Sequence, residues 1–325
     1  MRALGFLLAL LGLAALSPMP AAAQPPAYLT QWGSYGSGDG QFVMPSSVST
    51  DAAGNVYVAD RPNNRIQKFT GTGTYLTQWG SLGSGDGQFS ALNAVAADAA
   101  GNVYVTDRGN NRIQKFSGTG TYLTQWGSFG SDDGQFRTTQ GVAADAAGNV
   151  YVVDLGNHRI QKFTGTGTYL TQWGSLGSGD GQFNTPTRVA TDPTGNVYVV
   201  DYETGRVQKF TNTGTYLTQW GSIGSDDGQF IYPGEVATDA AGNVYVADSG
   251  NHRIQKFSST GTYLTQWGSL GSGDGQFTSP MGVATDAAGG VYVADSQNQR
   301  IQKFGYLPTL TTSSTWGRVK ADYRK

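Results

Sequence analysis

The sequence predicts an all-β fold, a six-bladed β-propeller of four-stranded antiparallel blades that is closed by an N-terminal strand completing the last blade. Three observations support this prediction. A tryptophan recurs every 47 residues, each repeat contains four short runs of strand-forming residues, and the two ends of the repeat array complement each other. The tryptophans that define the period are Trp32, Trp79, Trp126, Trp173, Trp220 and Trp267.

The first 23 residues have the pattern of a secretory signal peptide. Arg2 supplies a positive charge, Leu4 to Leu16 form an apolar run, and Ala21 to Ala23 provide the small residues of a cleavage site. The apolar run is shorter than the roughly 20 residues that a membrane-spanning helix needs, and no second such run follows. We therefore expect residues 1–23 to be removed, no membrane insertion after cleavage, and a secreted or periplasmic location.

Each repeat then reads as four strands in order. An apolar run such as Gly282 to Asp286 is followed by a turn and by a second run such as Asn55 to Asp60. Asn64 to Phe69 illustrates the third run, and Tyr75 to Ser81 the fourth, around the tryptophan. The runs are rich in Val, Ile, Tyr, Thr, Phe and Trp and are bounded by Gly, Asp, Asn or Ser, as strands and turns are. Four strands in a unit of about 40 to 50 residues are typical of a propeller blade.

The repeat resembles the NHL repeat family. Phe277 to Phe304 is similar to that repeat along its whole length, through its Gly-Val-Ala, Val-Tyr-Val-Ala-Asp and Arg-Ile motifs. The Asn-His pair of the family's name is present at Asn157-His158 and Asn251-His252, and the resemblance extends over residues 27–304. The resemblance implies a propeller but leaves the function open, because one fold hosts many functions.

The ends of the array predict how the ring closes. Tyr28 to Trp32 is a fourth strand with no three strands before it, and the last repeat stops at Phe304 without a fourth strand. We expect residues 28–32 to become the outermost strand of the last blade, which leaves no unpaired edge at that seam. The propeller domain is therefore predicted over residues 24–304, followed by a Pro/Thr/Ser linker and a short basic tail over residues 305–325.

The turns at one end of the blades vary between repeats, whereas those at the other end are nearly unchanged. Variation gathers in the five residues after each Gln-Phe pair and at the residue that follows each second strand. Both sets should form one rim around the central channel, where loops on a rigid scaffold usually carry recognition; sequence drift under weak constraint is the alternative. The residues selected on this rim as candidates for ligand binding are Arg61, Arg108, Arg137, Arg188, Tyr202, Tyr232 and Glu235.

Two aspartates recur in every repeat and are interpreted as structural. The first, such as Asp51, could belong to a ring that binds a cation, but Asp-x-x-Gly-Asn also describes a turn stabilised by the aspartate side chain, which is our prediction. The second, such as Asp60, precedes an arginine by five residues and predicts an ion pair within the blade. His158 and His252 occupy the same position in the third and fifth blades, too far apart to share one metal, and are predicted to be turn residues.

Composition and channel chemistry favour binding over catalysis. The formal net charge of −2 offers no basic excess for nucleic acid. The strands that should line the channel repeat Val-Ala-Thr or Val-Ala-Ala, which supply no metal ligands, so we assign no metal, no cofactor and no catalytic residue. The predicted function is an exported module that binds a protein, peptide or glycan through the variable rim. The alternative, suggested by enzymes on related propellers, is a metal-dependent lyase or lactonase-like hydrolase that uses Arg188, Tyr232 and Glu235 at the channel.

Overall fold

The computed structural model describes residues 24–306, whose strands form six four-stranded sheets. The predicted signal peptide, residues 1–23, and residues 307–325 of the predicted linker and tail lie outside the described residues. Neighbouring strands in every sheet are antiparallel; five sheets use four consecutive strands, and the sixth joins the first strand of the chain to the last three, so the predicted all-β propeller of six blades is confirmed. No helix in the described part of the chain is long and apolar enough to span a membrane.

The strands occupy the same four positions in every blade, counted outward from the axis. The innermost strands are β2 (Pro45–Thr50), β6 (Leu92–Ala97), β10 (Thr139–Ala144), β14 (Pro186–Thr191), β18 (Pro233–Thr238) and β22 (Pro280–Thr285). The second strands are β3 (Val56–Asp60), β7 (Val103–Asp107), β11 (Val150–Asp154), β15 (Val197–Asp201), β19 (Val244–Asp248) and β23 (Val291–Asp295).

The outer half of each blade follows the same scheme, and blades are numbered from the one that begins with β2. The third strands are β4 (Arg65–Phe69), β8 (Arg112–Phe116), β12 (Arg159–Phe163), β16 (Arg206–Phe210), β20 (Arg253–Phe257) and β24 (Arg300–Gly305). The outermost strands are β5 (Tyr75–Trp79), β9 (Tyr122–Trp126), β13 (Tyr169–Trp173), β17 (Tyr216–Trp220), β21 (Tyr263–Trp267) and, in the sixth blade, β1 (Ala27–Trp32). Short 3-10 turns follow four of the second strands, at Arg108–Asn110, Leu155–Asn157, Ser249–Asn251 and Ser296–Asn298.

The ring closes through the two ends of the repeat array. Strand β1 pairs antiparallel with β24, with Tyr28 opposite Phe304 and Trp32 opposite Ile301. The innermost strands also contact one another around the ring, including β2 with β22. The predicted closure by the N-terminal strand is therefore confirmed.

The hydrophobic core lies between the blades. Tyr57 of the first blade packs with Val103, Val105 and Phe116 of the second, and equivalent clusters fill the other seams. The second strands are buried on both faces, because each face meets a neighbouring blade. This explains why their apolar residues do not alternate with polar ones. Apolar burial between blades is the main force that holds the ring together.

Both recurring aspartates have the predicted structural roles. Asp51 accepts bonds from the backbone nitrogens of Ala53 and Asn55 at 3.0 and 2.9 Å, which confirms the side-chain-stabilised turn. Asp60 is fully buried and accepts a bond from Arg65 Nε at 2.8 Å, which confirms the ion pair within the blade. Equivalent ion pairs occur in the other five blades.

Candidate ligand-binding rim and channel

The two variable sets of the sequence lie together at one end of the blades. In the second blade the backbone nitrogen of Gly109 donates to the carbonyl of Ser90, and in the fourth blade Tyr202 donates to Thr185. These bonds join the turn after the second strand to the segment after the Gln-Phe pair. We call this end of the molecule, with its turns, the variable rim.

A cavity of about 220 Å³ opens at the variable rim around the axis. Four of the seven candidate residues line it, namely Arg61, Arg108, Arg188 and Tyr202. The remaining wall residues are Asn93, Gln140, Thr185, Thr187, Pro233, Gly234 and Met281. Every blade contributes to this rim cavity, and the side chains that the blades contribute differ in kind.

Arg188 and Glu235 lie deeper than the rim, inside the channel. They occupy the third position of their innermost strands, which holds small residues in the other blades: Ser47, Ala94, Gly141 and Gly282. A Cβ atom added at Gly282 would lie 3.0 Å from Glu235 Oε2. The small residues across the channel therefore leave room for one long cation and one carboxylate from neighbouring blades.

Glu235 is held inside the channel by hydrogen bonds from the first blade. Its Oε1 atom accepts a bond from Ser47 Oγ at 2.7 Å, and its Oε2 atom accepts one from the nitrogen of Val48 at 3.2 Å. Burial raises the pKa of Glu235 to about 7, although Arg188, these donors and the Val283 amide favour the charged form. The carboxyl group therefore changes charge near neutral pH.

The guanidinium group of Arg188 is buried with incomplete hydrogen bonding. Its side chain is 5% exposed, and its terminal nitrogens make long bonds of 3.3 Å to the carbonyl of Thr187 and 3.5 Å to the carbonyl of Ser46. Its Nε atom is buried without a partner. Burial lowers the pKa of Arg188, Glu235 opposes this effect, and Arg61 and Arg108 add to it. An arginine nevertheless stays protonated in proteins, so the channel holds a cation here.

Arg61 and Arg108 face the same cavity from the first and second blades. Burial lowers the pKa of Arg61, and the positive charge of Arg108 lowers it further. Within residues 24–306, no carboxylate oxygen lies within 4.0 Å of the guanidinium nitrogens of Arg61, Arg108 or Arg188, whereas the third-strand arginines are all paired. Arg188 and Glu235 thus interact electrostatically without direct contact. The rim cavity carries an excess of positive charge.

Tyr232 and Arg137, the two remaining candidates, lie on the rim outside the cavity wall. The ring of Tyr232, which is 60% exposed, stacks on Tyr202 with centroids 5.2 Å apart and planes 19° from parallel. The exposed Arg137 lies over the ring of Phe129 at 5.8 Å. The structure therefore joins Arg61, Arg108, Arg188 and Tyr202 around one cavity, with Tyr232 against its wall and Arg137 apart from it.

The opposite end of the channel is uniform. A cavity of about 210 Å³ there is lined by the Val, Ala, Ser and Thr residues of the six innermost strands together with Glu235. Threonines of neighbouring blades link the strands, as when Thr285 Oγ1 donates to the carbonyl of Thr238 at 2.7 Å. Glu235 is the one ionisable group in this wall, which otherwise repeats a single strand pattern.

Sequence reasoning did not select several residues of the cavity wall. Asn93, Gln140, Thr187 and Met281 share the second position of their innermost strands. Nδ2 of Asn93 donates to Gln140 Oε1 at 2.6 Å, so two of them form part of a network across neighbouring blades. The signal was present in the sequence, because this position holds a different residue type in all six repeats.

The two histidines are turn residues, as predicted. His158 and His252 each end a 3-10 turn in the left-handed conformation, with φ of 54° and 56°. Nδ1 of His158 lies 2.8 Å from the carbonyl oxygen of Asn184, and Nδ1 of His252 accepts a bond from the Ser279 nitrogen at 3.1 Å. Over the described range, no three or more His, Cys, Asp or Glu side chains are grouped so that they could hold a metal ion.

Solved structures with the same ring architecture include lyases and a binding protein. A streptogramin B lyase is 16% identical with a TM-score of 0.57, and the alignment covers 81% of this chain and 93% of that one. Virginiamycin B lyase from Staphylococcus aureus is 12% identical, with a TM-score of 0.57 and coverage of 82% and 96%. An auxiliary nutrient binding protein from Bacteroides thetaiotaomicron is 16% identical, with a TM-score of 0.59 and coverage of 82% and 69%. At these identities the likeness shows the fold alone.

Sequence comparison assigns the repeats to one family. No curated protein matches the chain. The family model described as the NHL repeat matches six segments, residues 42–69, 89–116, 136–163, 183–210, 230–257 and 277–304. Each segment runs from the phenylalanine before an innermost strand to the end of a third strand, and together they span just over half of the chain, which therefore belongs to the NHL-repeat family.

Proposed function

We propose that this chain is an exported binding module that holds a protein, peptide or glycan ligand at the variable rim. One observation carries the proposal. The rim cavity is built from unlike side chains of all six blades, whereas the opposite end repeats one pattern. A repeat array that differs mainly at one concave end has the geometry of a recognition surface on a rigid scaffold.

The rim also offers the residue types that binding surfaces use. Arginine and tyrosine are enriched at the centres of protein interfaces, because both combine a large contact area with directional hydrogen bonds. Arg61, Arg108, Tyr202 and Tyr232 present both types around one opening. A binding protein among the structural neighbours supports the view that a ring of this kind can serve as a receptor.

Export belongs to the same proposal. The charged start, apolar run and alanine-rich end of residues 1–23 support secretion. Expression of the full chain in a bacterial host, followed by N-terminal sequencing of the exported product, tests this part. We expect a new N-terminus at or next to residue 24; an intact Met1 on exported protein would contradict it.

The binding role is tested with arrays of glycans and peptides probed by the labelled protein. We expect the wild-type protein to retain ligands that the double variant Tyr202→Ala/Tyr232→Ala loses, by about tenfold or more in affinity, because the stacked pair supplies the largest aromatic surface of the rim. Asn212→Gly is the matched control, because Asn212 lies in an exposed turn at the opposite end. Equal binding by all three proteins would contradict a rim site.

A catalytic role at the channel predicts a different result. Purified protein would then contain stoichiometric metal and turn over a lactone or a lyase substrate, and Glu235→Gln would abolish that turnover. Metal analysis combined with lactone and lyase assays separates the two functions. Turnover that depends on Glu235 would replace the binding proposal.

A further inference from the structure

We propose that the rim cavity is an oxyanion-binding site in which the guanidinium groups of Arg61, Arg108 and Arg188 hold a small ligand, or one end of a larger ligand, that bears a carboxylate, phosphate or sulfate group. This inference rests on the proposed function, because it names the chemistry of a ligand for the same rim. Beyond the proposed function, it assigns the binding of the charged group to these three arginine side chains.

The charge around the rim cavity is unbalanced. Arg61 and Arg108 make no ion pair in the described part of the chain, although each of the six third-strand arginines is paired with a buried aspartate. The repulsion between Arg61 and Arg108, and of both with Arg188, raises the free energy of the empty cavity. An oxyanion between these groups removes the repulsion and gains charge-assisted hydrogen bonds.

Among the described residues, hydrogen-bonding groups at the bottom of the cavity are left partly unused. The Arg188 guanidinium has five N–H donors, and its bonds within the protein are two long contacts with backbone carbonyls. Among residues 24–306, Thr187 Oγ1, next to it in the sequence, likewise has no hydrogen-bond partner and is buried. Buried polar groups in native proteins are normally satisfied, so unpaired donors around a cavity indicate a ligand.

The positions equivalent to Arg61 and Arg108 in two other blades hold serines with a different role. Ser249 and Ser296 occupy the position of Arg61 and Arg108 in the fifth and sixth blades, and each donates its hydroxyl group to the backbone of the next blade. These serines therefore form hydrogen bonds between neighbouring blades of the protein. The arginines instead line the cavity, where no carboxylate of residues 24–306 pairs with them.

The size and walls of the cavity limit the ligand. Its volume of about 220 Å³ is smaller than the roughly 300 to 1,000 Å³ of pockets that enclose drug-sized ligands. It therefore accommodates a small anion or the charged terminus of a longer molecule. Planar guanidinium groups bind carboxylate and phosphate oxygens in pairs, which favours an oxyanion over a halide.

Isothermal titration calorimetry of the full mature protein tests the site, with sodium sulfate, inorganic phosphate and citrate as separate probes against sodium chloride at equal ionic strength. We expect saturable binding of at least one oxyanion at one site per chain, and the ranking of the three probes distinguishes a carboxylate ligand from a phosphate or sulfate ligand. Arg61→Met/Arg108→Met should weaken that binding by about tenfold or more, since bonds between charged groups are lost. Arg137→Met removes the same charge from the same rim, outside the cavity, and should bind like the wild type.

The wild-type protein provides a second measurement that does not depend on the folding of any variant. Its melting temperature should rise with the concentration of the bound oxyanion and saturate, because a ligand that binds the folded state alone stabilises it. No saturable binding of any probe, or equal binding by the wild type and the double arginine variant, would overturn the oxyanion site. If array ligands still require Tyr202 and Tyr232 in that case, the rim function stands without this site; if they do not, both proposals fail.

Discussion

Glu235, one of two glutamates in the protein, is a buried ionisable side chain. Its carboxyl group, in the wall of the cavity at the uniform end of the channel, accepts hydrogen bonds from Ser47 and Val48, and burial raises its pKa to about 7. The Arg188 charge is close enough to oppose this shift but does not reach the carboxylate. The channel therefore contains a titratable group on which stability depends near neutral pH.

The stability of the protein should decrease as pH rises through this range because of Glu235. In the folded protein the carboxyl group has a pKa near 7 and keeps its proton up to about that pH. In the unfolded chain its pKa is about 4.5, so the proton is lost at lower pH. The contribution of this group to the free energy of unfolding is complete below pH 4.5 and is lost as pH rises through 7. The change is about 3 kcal/mol, at 1.36 kcal/mol per pKa unit. Urea denaturation between pH 4.5 and 8.5 should show a flatter profile for Glu235→Gln than for the wild type.

The other glutamate provides the control for this experiment. Glu203 is exposed on the rim, where its Oε2 atom accepts a bond from Asn184 Nδ2 at 2.9 Å. Glu203→Gln should therefore retain the wild-type pH profile. If Glu235→Gln kept the wild-type slope as well, the channel carboxylate would not be the group that titrates.

At the scale of one blade, the aspartate at the end of each second strand organises the strands and the loop around it. In the third blade, Asp154 is fully buried. It accepts hydrogen bonds from Arg159 Nε at 2.7 Å, from Asn157 Nδ2 at 2.8 Å and from the backbone nitrogen of Arg137 at 2.7 Å. The same arginine, Arg159, also donates hydrogen bonds to the carbonyls of Asp132 and Gln135 in the Gly/Ser/Asp loop. One carboxylate thus fixes the variable segment, the turn and the loop together.

Asp154→Ala should destabilise the protein by about 3 to 5 kcal/mol, because it leaves the buried Arg159 cation without its partner. Thermal or urea denaturation measures the loss. Asp132→Ala is the control, because that exposed side chain lies in the neighbouring loop and makes no hydrogen bond with another described residue. We expect it to change stability by about 0.5 kcal/mol or less. Equal losses in the two variants would show that the buried pair is not the stabilising feature.

The seams between blades repeat a second polar contact, with one replacement. Lys68 of the first blade donates to the carbonyl of Gly118 in a turn of the second blade at 2.9 Å. The sixth blade lacks the corresponding turn, because its third and fourth strands come from opposite ends of the array. There Lys256 donates to the hydroxyl group of Tyr306 at 2.9 Å instead. The residue after the last strand thus replaces a missing turn.

At the scale of the whole molecule, the ring depends on β1. Gln31 accepts a bond from Arg300 at 2.6 Å, and Trp32 packs against Tyr292 of the sixth blade and Phe69 of the first. Without β1, strand β24 loses its outer partner and the seam with the first blade loses its tryptophan. Both losses affect the sixth blade, the one whose four strands are not consecutive in the sequence.

Deletion of residues 24–33 should therefore lower the melting temperature of the protein by more than about 10 °C, since several buried contacts are lost together. Differential scanning calorimetry measures this effect. A synthetic peptide of residues 24–33, added in excess, should recover part of the loss, whereas a scrambled peptide should not. An unchanged melting temperature on deletion would contradict the closure.

Much of the fold could be predicted because its determinants are local and repeated six times. The turn at Asp51, the ion pair of Asp60 with Arg65 and the left-handed position of His158 all follow from residues within a few positions of one another. The complementary array ends predicted, by counting strands, that residues 28–32 become the outermost strand of the last blade, where the structure pairs Tyr28 with Phe304. The site was predicted less completely, because its parts are distant in sequence and no pattern within one repeat relates them.

The sequence alone determined the blade, the blade number, the strand that closes the ring and the end at which the repeats differ. Tertiary structure decided that Arg188 and Glu235 lie inside the channel, and that Arg61, Arg108 and Tyr202 surround one cavity with Arg188. The physical reason is that the depth of a side chain near the axis depends on the residues that all six innermost strands place at that level. Gly141 and Gly282 leave the space that Arg188 and Glu235 occupy, and that relation exists only after the ring has closed.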